Sequence, residues 1–275
     1  TEGGLNRLDK ATGTFTRYLN DPQDPDSLSH NGVQTIYQDR QERLWVGTAD
    51  GGLNLFNPRS ESFSRYLYDP EDPTSLSHNS VFSIFEDSWG QLWVGTAGGL
   101  NILDRESGNF TRFFNDPEDE DSLPNNQIYG MFQDRSGMLW FGTYGGLVRF
   151  DGVRFSVFDS DRFPGLADSR VTALFEDARG TLWIGHETGN VTRFGRGALE
   201  PVALPAALRR TEILDIAADL EFAGFFCALV QVVLVVKLAA AEVAVVGLDI
   251  PCRRHHSGGQ DCAFRHPDFQ RLHHV

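Results

Sequence analysis

Leu44-Trp45-Val46-Gly47, Leu92-Trp93-Val94-Gly95, Leu139-Trp140-Phe141-Gly142 and Leu182-Trp183-Ile184-Gly185 are four versions of one tetrapeptide, and their spacing decides the fold. The intervals from Trp to Trp are 48, 47 and 43 residues. That period suits a four-stranded propeller blade and is too long for a leucine-rich or ankyrin unit.

Each unit opens with a short β-branched and aromatic run that closes on Asp: Val33 to Asp39, Val81 to Asp87, Ile128 to Asp134 and Val171 to Asp177. Such composition reads as a strand. Trp follows the closing Asp by six residues, and the turn between holds Gly90, Gly137 or Gly180, with Glu42 in the first unit. Asp-x-x-Gly between two apolar runs predicts a hairpin in which Gly supplies a positive φ, so a different turn is expected at Glu42. A glycine pair (Gly51-Gly52, Gly98-Gly99, Gly145-Gly146) then leads into a third strand such as Leu53-Asn-Leu-Phe56. Runs such as Phe63-Ser-Arg-Tyr66 and Phe110-Thr-Arg-Phe113 supply a fourth.

The expected fold is all-β: a propeller of four-stranded antiparallel blades. Gly3 to Asn6 and Phe15 to Tyr18 match the third and fourth strands of a preceding unit, and the last unit is read as stopping after Val191-Thr-Arg-Phe194, which gives about four and a half blades. Residues 1–194 are thus the propeller array and residues 195–275 a non-repeat tail. The Trp of each second strand is assigned to packing between neighbouring blades. Trp89 sits in a turn outside the pattern and is the better candidate for exposure.

All the Trp residues lie in the array and all three Cys in the tail. Residues 1–194 carry 29 Asp and Glu against 16 Lys and Arg. An acidic surface repels phosphate backbones and anionic lipid, which disfavours a nucleic-acid partner. The chain starts at Thr1 in mid-motif and shows no signal peptide.

Acidic proline loops join one blade to the next: Asp21-Pro-Gln-Asp-Pro-Asp-Ser-Leu-Ser-His-Asn31, Asp69 to Asn79 and Asp116 to Asn126. Pro and Asp fix turns, so these are ordered loops. In a propeller they share a rim with the turns after the Leu-Trp strands, at Thr48 to Gly51, Thr96 to Gly98 and Thr143 to Gly145. That rim is the expected ligand face. Its candidate ligand-binding residues are His30, Asn31, His78, Asn79, Asn125, Asn126 and Tyr144, whose polar and aromatic groups suit a small polar molecule or a sugar; capping of the loops explains the same His and Asn residues equally well. The carboxylates read as solvated turns, since no Asp-x-Asp-x-Asp-Gly calcium loop is present and the separation of an acid–base pair cannot be read from sequence. No nucleophile elbow, phosphate loop or His-Glu-x-x-His appears, so the expectation is no catalytic residue, no metal and no cofactor.

The assembled unit, Val-x-x-Ile-x-x-Asp, Gly-x-Leu-Trp-Val-Gly-Thr, Gly-Gly-Leu-Asn-x-Leu-Asp, Phe-x-Arg-Tyr and Asp-Pro-x-Asp-Pro-x-Ser-Leu-Ser, resembles the two-component regulator propeller repeats over residues 3–194. The resemblance implies a periplasmic ligand sensor, often for oligosaccharides, within a dimeric, membrane-spanning parent protein that ends in a hybrid histidine kinase or diguanylate cyclase. The chain departs from the family in its small number of blades. Kinase boxes, a receiver Asp pocket and a Gly-Gly-Asp-Glu-Phe loop are all missing from it. By this resemblance it is a binding module and not an enzyme; a protein-binding scaffold and a propeller lyase or glycosidase are the alternatives.

The tail changes character. Phe222 to Val236 is apolar apart from Gln231, yet short of the roughly 20 residues of a membrane helix. Cys252, His255, His256, Cys262, His266, His273 and His274 are zinc-ligand types at spacings that fit no standard site. Ala-Val-rich then Arg-His-rich text starting within a blade is what an out-of-frame reading of GC-rich DNA would give.

Overall fold

A computed structural model describes residues 3–204, 212–218, 230–239 and 242–250, with no helix among them. They fall into two compact units, Thr1–Val157 and Phe158–Val275. The strands are β1 (Leu5–Asp9), β2 (Thr14–Tyr18), β3 (Val33–Gln38), β4 (Leu44–Thr48), β5 (Leu53–Asn57), β6 (Ser62–Tyr66), β7 (Val81–Glu86), β8 (Leu92–Thr96), β9 (Gly99–Leu103) and β10 (Phe110–Phe113). They continue with β11 (Ile128–Gln133), β12 (Leu139–Thr143), β13 (Gly146–Phe150), β14 (Phe155–Phe158), β15 (Val171–Glu176), β16 (Leu182–His186), β17 (Val191–Gly195) and β18 (Ala198–Val202). The last three are β19 (Glu212–Ala218), β20 (Val230–Ala239) and β21 (Glu242–Ile250).

Neighbours in sequence pair antiparallel to make a two-stranded sheet, β1-β2, and four-stranded sheets β3-β6, β7-β10, β11-β14 and β15-β18. These are propeller blades, four whole and one half, as the repeat predicts. Every first strand carries a bulge near its start, between Val33 and Thr35, Val81 and Ser83, Ile128 and Gly130, and Val171 and Ala173.

The turn between first and second strands is built on the closing Asp. In the second whole blade Asp87 Oδ1 accepts the N–H groups of Trp89 and Gln91, both at 2.9 Å, and its Oδ2 accepts the Trp93 indole N–H at 2.8 Å. Asp39, Asp134 and Asp177 do the same for Trp45, Trp140 and Trp183 at 2.9, 2.8 and 3.0 Å. Burial opposes ionisation of Asp39 and Asp134, yet the hydrogen bonds from indole and turn hold both carboxyls below their ordinary range.

Glu42 corrects the expectation of a different turn. It takes φ 61°, close to Gly90 at 84° and Gly180 at 79°, and its N–H donates to Asp39 O just as Gly90 N–H donates to Asp87 O. The carboxylate beneath dictates the turn, and the non-glycine residue bears about 1–2 kcal/mol of left-handed strain.

Trp45 and Trp93 pack between blades, as the sequence predicts. Trp45 shares a core with Val81, Ile84 and Leu92 of the next blade, and Trp93 with Ile128, Leu139 and Phe141. The glycine two residues on makes this approach possible. A Cβ on Gly47 would lie 2.6 Å from Val81 Cγ1, and one on Gly95 would lie 2.7 Å from Ile128 O.

The boundary read after Phe194 falls inside a blade. Gly195 pairs with Ala198 around a two-residue turn, Arg196 (φ 53°) and Gly197 (φ 79°), and β18 completes the sheet. The Ala198-Leu-Glu-Pro-Val202 strand lacks the Phe-x-Arg-Tyr pattern, and Pro201 is tolerated because the strand is outermost. β19 then lies alongside β15 as β7 lies alongside β3, with the Thr172 hydroxyl donating to Ile213 O at 2.6 Å. Its Ile213-Leu-Asp-Ile216 carries the opening of the repeat. β19, β20 and β21 form an antiparallel sheet, so Val230 to Val236 is strand. The Cys and His residues from Cys252 onward and residues 222–229 lie outside the described residues, among which no helix is long and apolar enough to cross a membrane.

At the end of the second strand, where three blades have Thr48, Thr96 and Thr143, the fourth has His186. It is fully buried, bonded through Nε2 to Thr192 Oγ1 at 2.9 Å, and burial lowers its pKa to about 4. The unfolded chain then binds a proton between pH 6.5 and 4 that the folded chain refuses. The stability this neutral His permits is full above pH 6.5 and falls by roughly 3 kcal/mol toward pH 4. His186→Thr is expected to flatten the melting temperature over this window relative to the unaltered chain, measured calorimetrically from pH 4 to 7. Asp87→Ala is expected to cost about 2–4 kcal/mol in urea denaturation, because it strands a buried indole and two turn N–H groups. Glu42→Gly should stabilise by up to about 1 kcal/mol by relieving the left-handed strain.

Candidate functional site on the loop-bearing rim

The acidic loops are pinned from within. In the first, Asp21 Oδ1 accepts Gln23 N–H, Asp24 Oδ1 accepts Asp26 N–H, and Ser27 Oγ both accepts Asp21 N–H and donates to the carbonyls of Asp21 and Asp24. Leu28 plugs the loop into the core, as do Leu76 and Leu123. The Arg of the Phe-x-Arg-Tyr strand clamps the loop preceding its own blade: Arg65 donates to the carbonyls of Asp24 and Ser27, and Arg112 to those of Asp72 and Ser75. A third-strand Asn ties the loop to the sheet, for Asn54 Oδ1 accepts Ser29 N–H while its Nδ2 donates to Ser29 Oγ and Val46 O. The loop carboxylates therefore cap turns. The Thr74 hydroxyl and N–H hold the Asp72 carboxyl below its ordinary range. Among the described residues no three His, Cys, Asp or Glu side chains converge as a metal site.

The loop and the turn after the second strand meet on one rim, since Ala49 N–H donates to Gly32 O and Gly52 N–H to Asn79 O. On that rim the predicted His and Asn residues serve the loop. His30 Nδ1 accepts Gly32 N–H and His78 Nδ1 accepts Ser80 N–H, both at 2.9 Å, while Asn125 Oδ1 accepts Gln127 N–H at 2.8 Å. Asn31, Asn79 and Asn126 each accept a backbone N–H eleven residues back, from Asn20, Tyr68 and Asn115, and so close the loop at its base. Asp168 and Ser169 do both jobs in the second unit, for Arg170 and Ser160 N–H. The imidazoles of His30 and His78 stay exposed at the surface.

Tyr144 has a different setting. Its ring stacks on Tyr129 with centroids 4.5 Å apart and planes 20° from parallel, and Tyr129 stacks on Phe82 at 4.5 Å and 7°. All three rings are partly exposed. Phe82 and Tyr129 are second residues of adjacent first strands, three residues after Asn79 and Asn126, so this ladder stands beside the predicted polar residues. Sequence reading missed Phe82 and Tyr129. The signal was present: that position reads Gln34, Phe82, Tyr129 and Thr172 while Val or Ile before it is nearly constant, and residues that touch a ligand differ between blades where residues that hold the fold do not. A run of stacked rings bordered by amide and imidazole groups presents an apolar platform with polar edges, the combination that orients a small polar ligand.

The same rim also carries exposed apolar side chains just after the fourth strands: Leu19, Leu67, Tyr68 and Phe114. Trp89 is exposed too, on the Asp-turn.

Comparison with known proteins agrees with this architecture. The two component regulator propeller family model matches at residues 27–50, 75–98, 122–145 and 165–188. No curated protein matches the chain. Among solved structures, the chain is similar to the extracellular domains assigned to two hybrid two component systems of B. thetaiotaomicron. With BT3049 the TM-score is 0.69 at 23% identity, covering 93% of this chain and 33% of that one. With BT4673 it is 0.67 at 20%, covering 90% and 33%. It is also similar to virginiamycin B lyase from Staphylococcus aureus, with TM-score 0.60, 17% identity and coverage of 85% and 70%. At these identities the likeness is one of fold, and the chain spans a third of the length of the two extracellular domains. The four matched segments, each running from an inter-blade loop through the Leu-Trp strand, are two-component regulator propeller repeats.

Proposed function

We propose that this chain is a ligand-sensing propeller segment of a bacterial two-component receptor, a binding module that does no chemistry of its own. The observation that carries the reading is the Phe82–Tyr129–Tyr144 ladder on a rim of rigid loops. The end rings of the ladder, Phe82 and Tyr144, each have one face outside the stack for C–H/π contact with a sugar, and His78, Asn79, Asn125 and Asn126 border the ladder with groups that hydrogen-bond hydroxyls. The ligand class is a small polar molecule or an oligosaccharide. His30 and Asn31 extend the same border on the neighbouring blade.

The repeat family and the extracellular domains with the same fold support a place outside the cytoplasm. We place the chain in the periplasm, within a membrane-spanning and dimeric parent protein. Kinase or cyclase output belongs to other parts of such a receptor. The pinned loops suit this role, because a site whose backbone is already ordered loses little entropy on binding.

A second reading, a protein-binding scaffold, draws on Leu19, Leu67, Tyr68 and Phe114, which put apolar surface on the same rim. A thermal-shift screen of oligosaccharides separates the two. A ligand at a hundredfold excess over its Kd should raise the melting temperature by roughly 5–10 °C. Tyr129→Ala removes one ring of the ladder, worth about 0.5–1.5 kcal/mol, and is expected to weaken affinity up to roughly tenfold and cut the shift by about half. A shift that Tyr129→Ala leaves unchanged places the ligand elsewhere, and no shift across the library favours the scaffold.

A further inference from the structure

The third acidic loop keeps the shape of its sisters without the arginine that each of them holds. Arg65 Nη2 donates to Asp24 O at 2.9 Å, to Ser27 O at 2.8 Å and to Ser27 Oγ at 2.9 Å, and its Nε donates to Ser27 O at 3.0 Å. Arg112 likewise donates to Asp72 O, Ser75 O, Ser75 Oγ and Leu76 O. The matching acceptors of the third loop are Asp119 O, Ser122 O, Ser122 Oγ and Leu123 O, and the residue in place of the arginine is Val157.

The arginine is not what shapes the loop. Asp116 and Asp119 accept the N–H groups of Glu118 and Asp121 at 3.0 Å, as Asp21 and Asp24 do for Gln23 and Asp26. Ser122 Oγ accepts Asp116 N–H at 2.9 Å and donates to Asp116 O, Ser122 N–H donates to Asp119 O, and Leu123 is fully buried. The four acceptors therefore stand in the arrangement that receives a guanidinium in two other blades.

The third blade has also given up the neighbouring ties. Arg65 and Arg112 pair across the sheet with Asn54 and Asn101, which accept the N–H groups of Ser29 and Ser77. Val148 replaces that Asn, and Pro124, which has no N–H, replaces that Ser. Phe63 and Phe110 N–H reach Asp26 O and Thr74 O, a bond that no described residue makes to Asp121 O. The third loop is thus held from within and from its base, and its acidic limb is exposed.

Charge there favours a cation more than in either sister. Asp116, Glu118, Asp119, Glu120 and Asp121 put five carboxylates into residues 116–121, against three in residues 21–26 and three in residues 69–74. Among the described residues no Lys or Arg forms an ion pair with them.

We propose that the third loop is a docking site for an arginine of another polypeptide. Its guanidinium bonds to the carbonyls of Asp119, Ser122 and Leu123 and to the Ser122 hydroxyl, and Glu118, Glu120 and Asp121 draw basic residues beside it. The acceptor set selects the arginine: a planar guanidinium serves several carbonyls at once, whereas an ammonium is a compact, strongly hydrated charge. Five carboxylates exceed what one guanidinium neutralises, and so the partner is a basic segment rather than a lone arginine. The site uses residues 116–123, while Asn125 and Asn126 lie on the limb that leads into β11 and the ring ladder.

The test is a titration of the full chain with the capped peptide Gly-Lys-Arg-Lys-Gly, followed by the amide shifts of residues 116–124 in proton–nitrogen correlation spectra. Binding with a Kd on the order of 1 mM is expected, at least about fivefold tighter than for Gly-Lys-Lys-Lys-Gly, which carries the same charge. Val157→Arg supplies the guanidinium from the chain's own fourth strand and should abolish the response, with shifts elsewhere unchanged. Arg112→Val should open a second site that prefers the same peptide, read at residues 69–76. No response at residues 116–124, equal affinity for the two peptides, or unchanged binding by the Val157→Arg chain would each overturn the proposal. So would capped arginine binding as tightly as the peptide, by showing that the flanking carboxylates recruit no basic segment.

Discussion

A carboxylate at the end of each first strand, buried in three blades and half-buried at Asp134, is the constraint on which the rest of the structure depends. Removing a charge from water costs several kcal/mol unless its lone pairs are used, and Asp39, Asp87, Asp134 and Asp177 each use theirs on one indole and two turn N–H groups. Meeting that demand fixes three things together. It shapes the hairpin, forcing even Glu42 into a left-handed conformation. It also aims the Trp at the neighbouring blade, and it sets the register of second strand on first, so that the glycine after the Trp falls where the next blade must approach.

Polar latches then hold blade to blade at the turn-bearing end. Glu86 accepts Arg40 N–H at 2.8 Å and Gln133 accepts Ser88 N–H at 2.7 Å, so the last residues of β7 and β11 grip the preceding blade's Asp-turn. Arg105 bridges the Glu86 and Asp39 carboxylates at 2.8 and 3.6 Å and leaves its own Nε buried without a partner. Such a cluster contributes more to the relative placement of the blades than to net stability, since desolvation offsets much of the Coulombic attraction. The opposite rim is held differently, by plugging leucines and arginines bound to loop carbonyls. Both ends are therefore stiff, and stiffness at the loop end preorganises whatever stands on it.

The fold was legible because its demands recur. A first strand must alternate, an indole needs an acceptor six residues back, and a blade cannot approach a Cβ at Gly47 or Gly95, so these residues return with each unit. Where the demand lapses the pattern lapses too: β18 is an outermost strand with one neighbour, so Ala198-Leu-Glu-Pro-Val202 could drop the aromatic signature and still complete the sheet. Position 42 shows the converse, a residue that looks wrong for its turn and is overruled by the carboxylate beneath it. The Asp–Trp bond itself was visible only as a constant interval, because spacing does not say which atoms meet.

The candidate site follows the opposite logic. Repetition marks what every blade needs, and the predicted His and Asn residues recur because every loop needs its N–H groups satisfied. A ligand meets the blades once and from one direction, so the residues that select it have no reason to recur. Gln34, Phe82, Tyr129 and Thr172 occupy one backbone position with four different side chains, and only Phe82 and Tyr129 place rings parallel and close enough to stack. Tyr144 extends their ladder from a turn where two other blades have Ala49 and Ala97. In the proposed site the departures from the repeat fall at positions that the repeat has already made rigid.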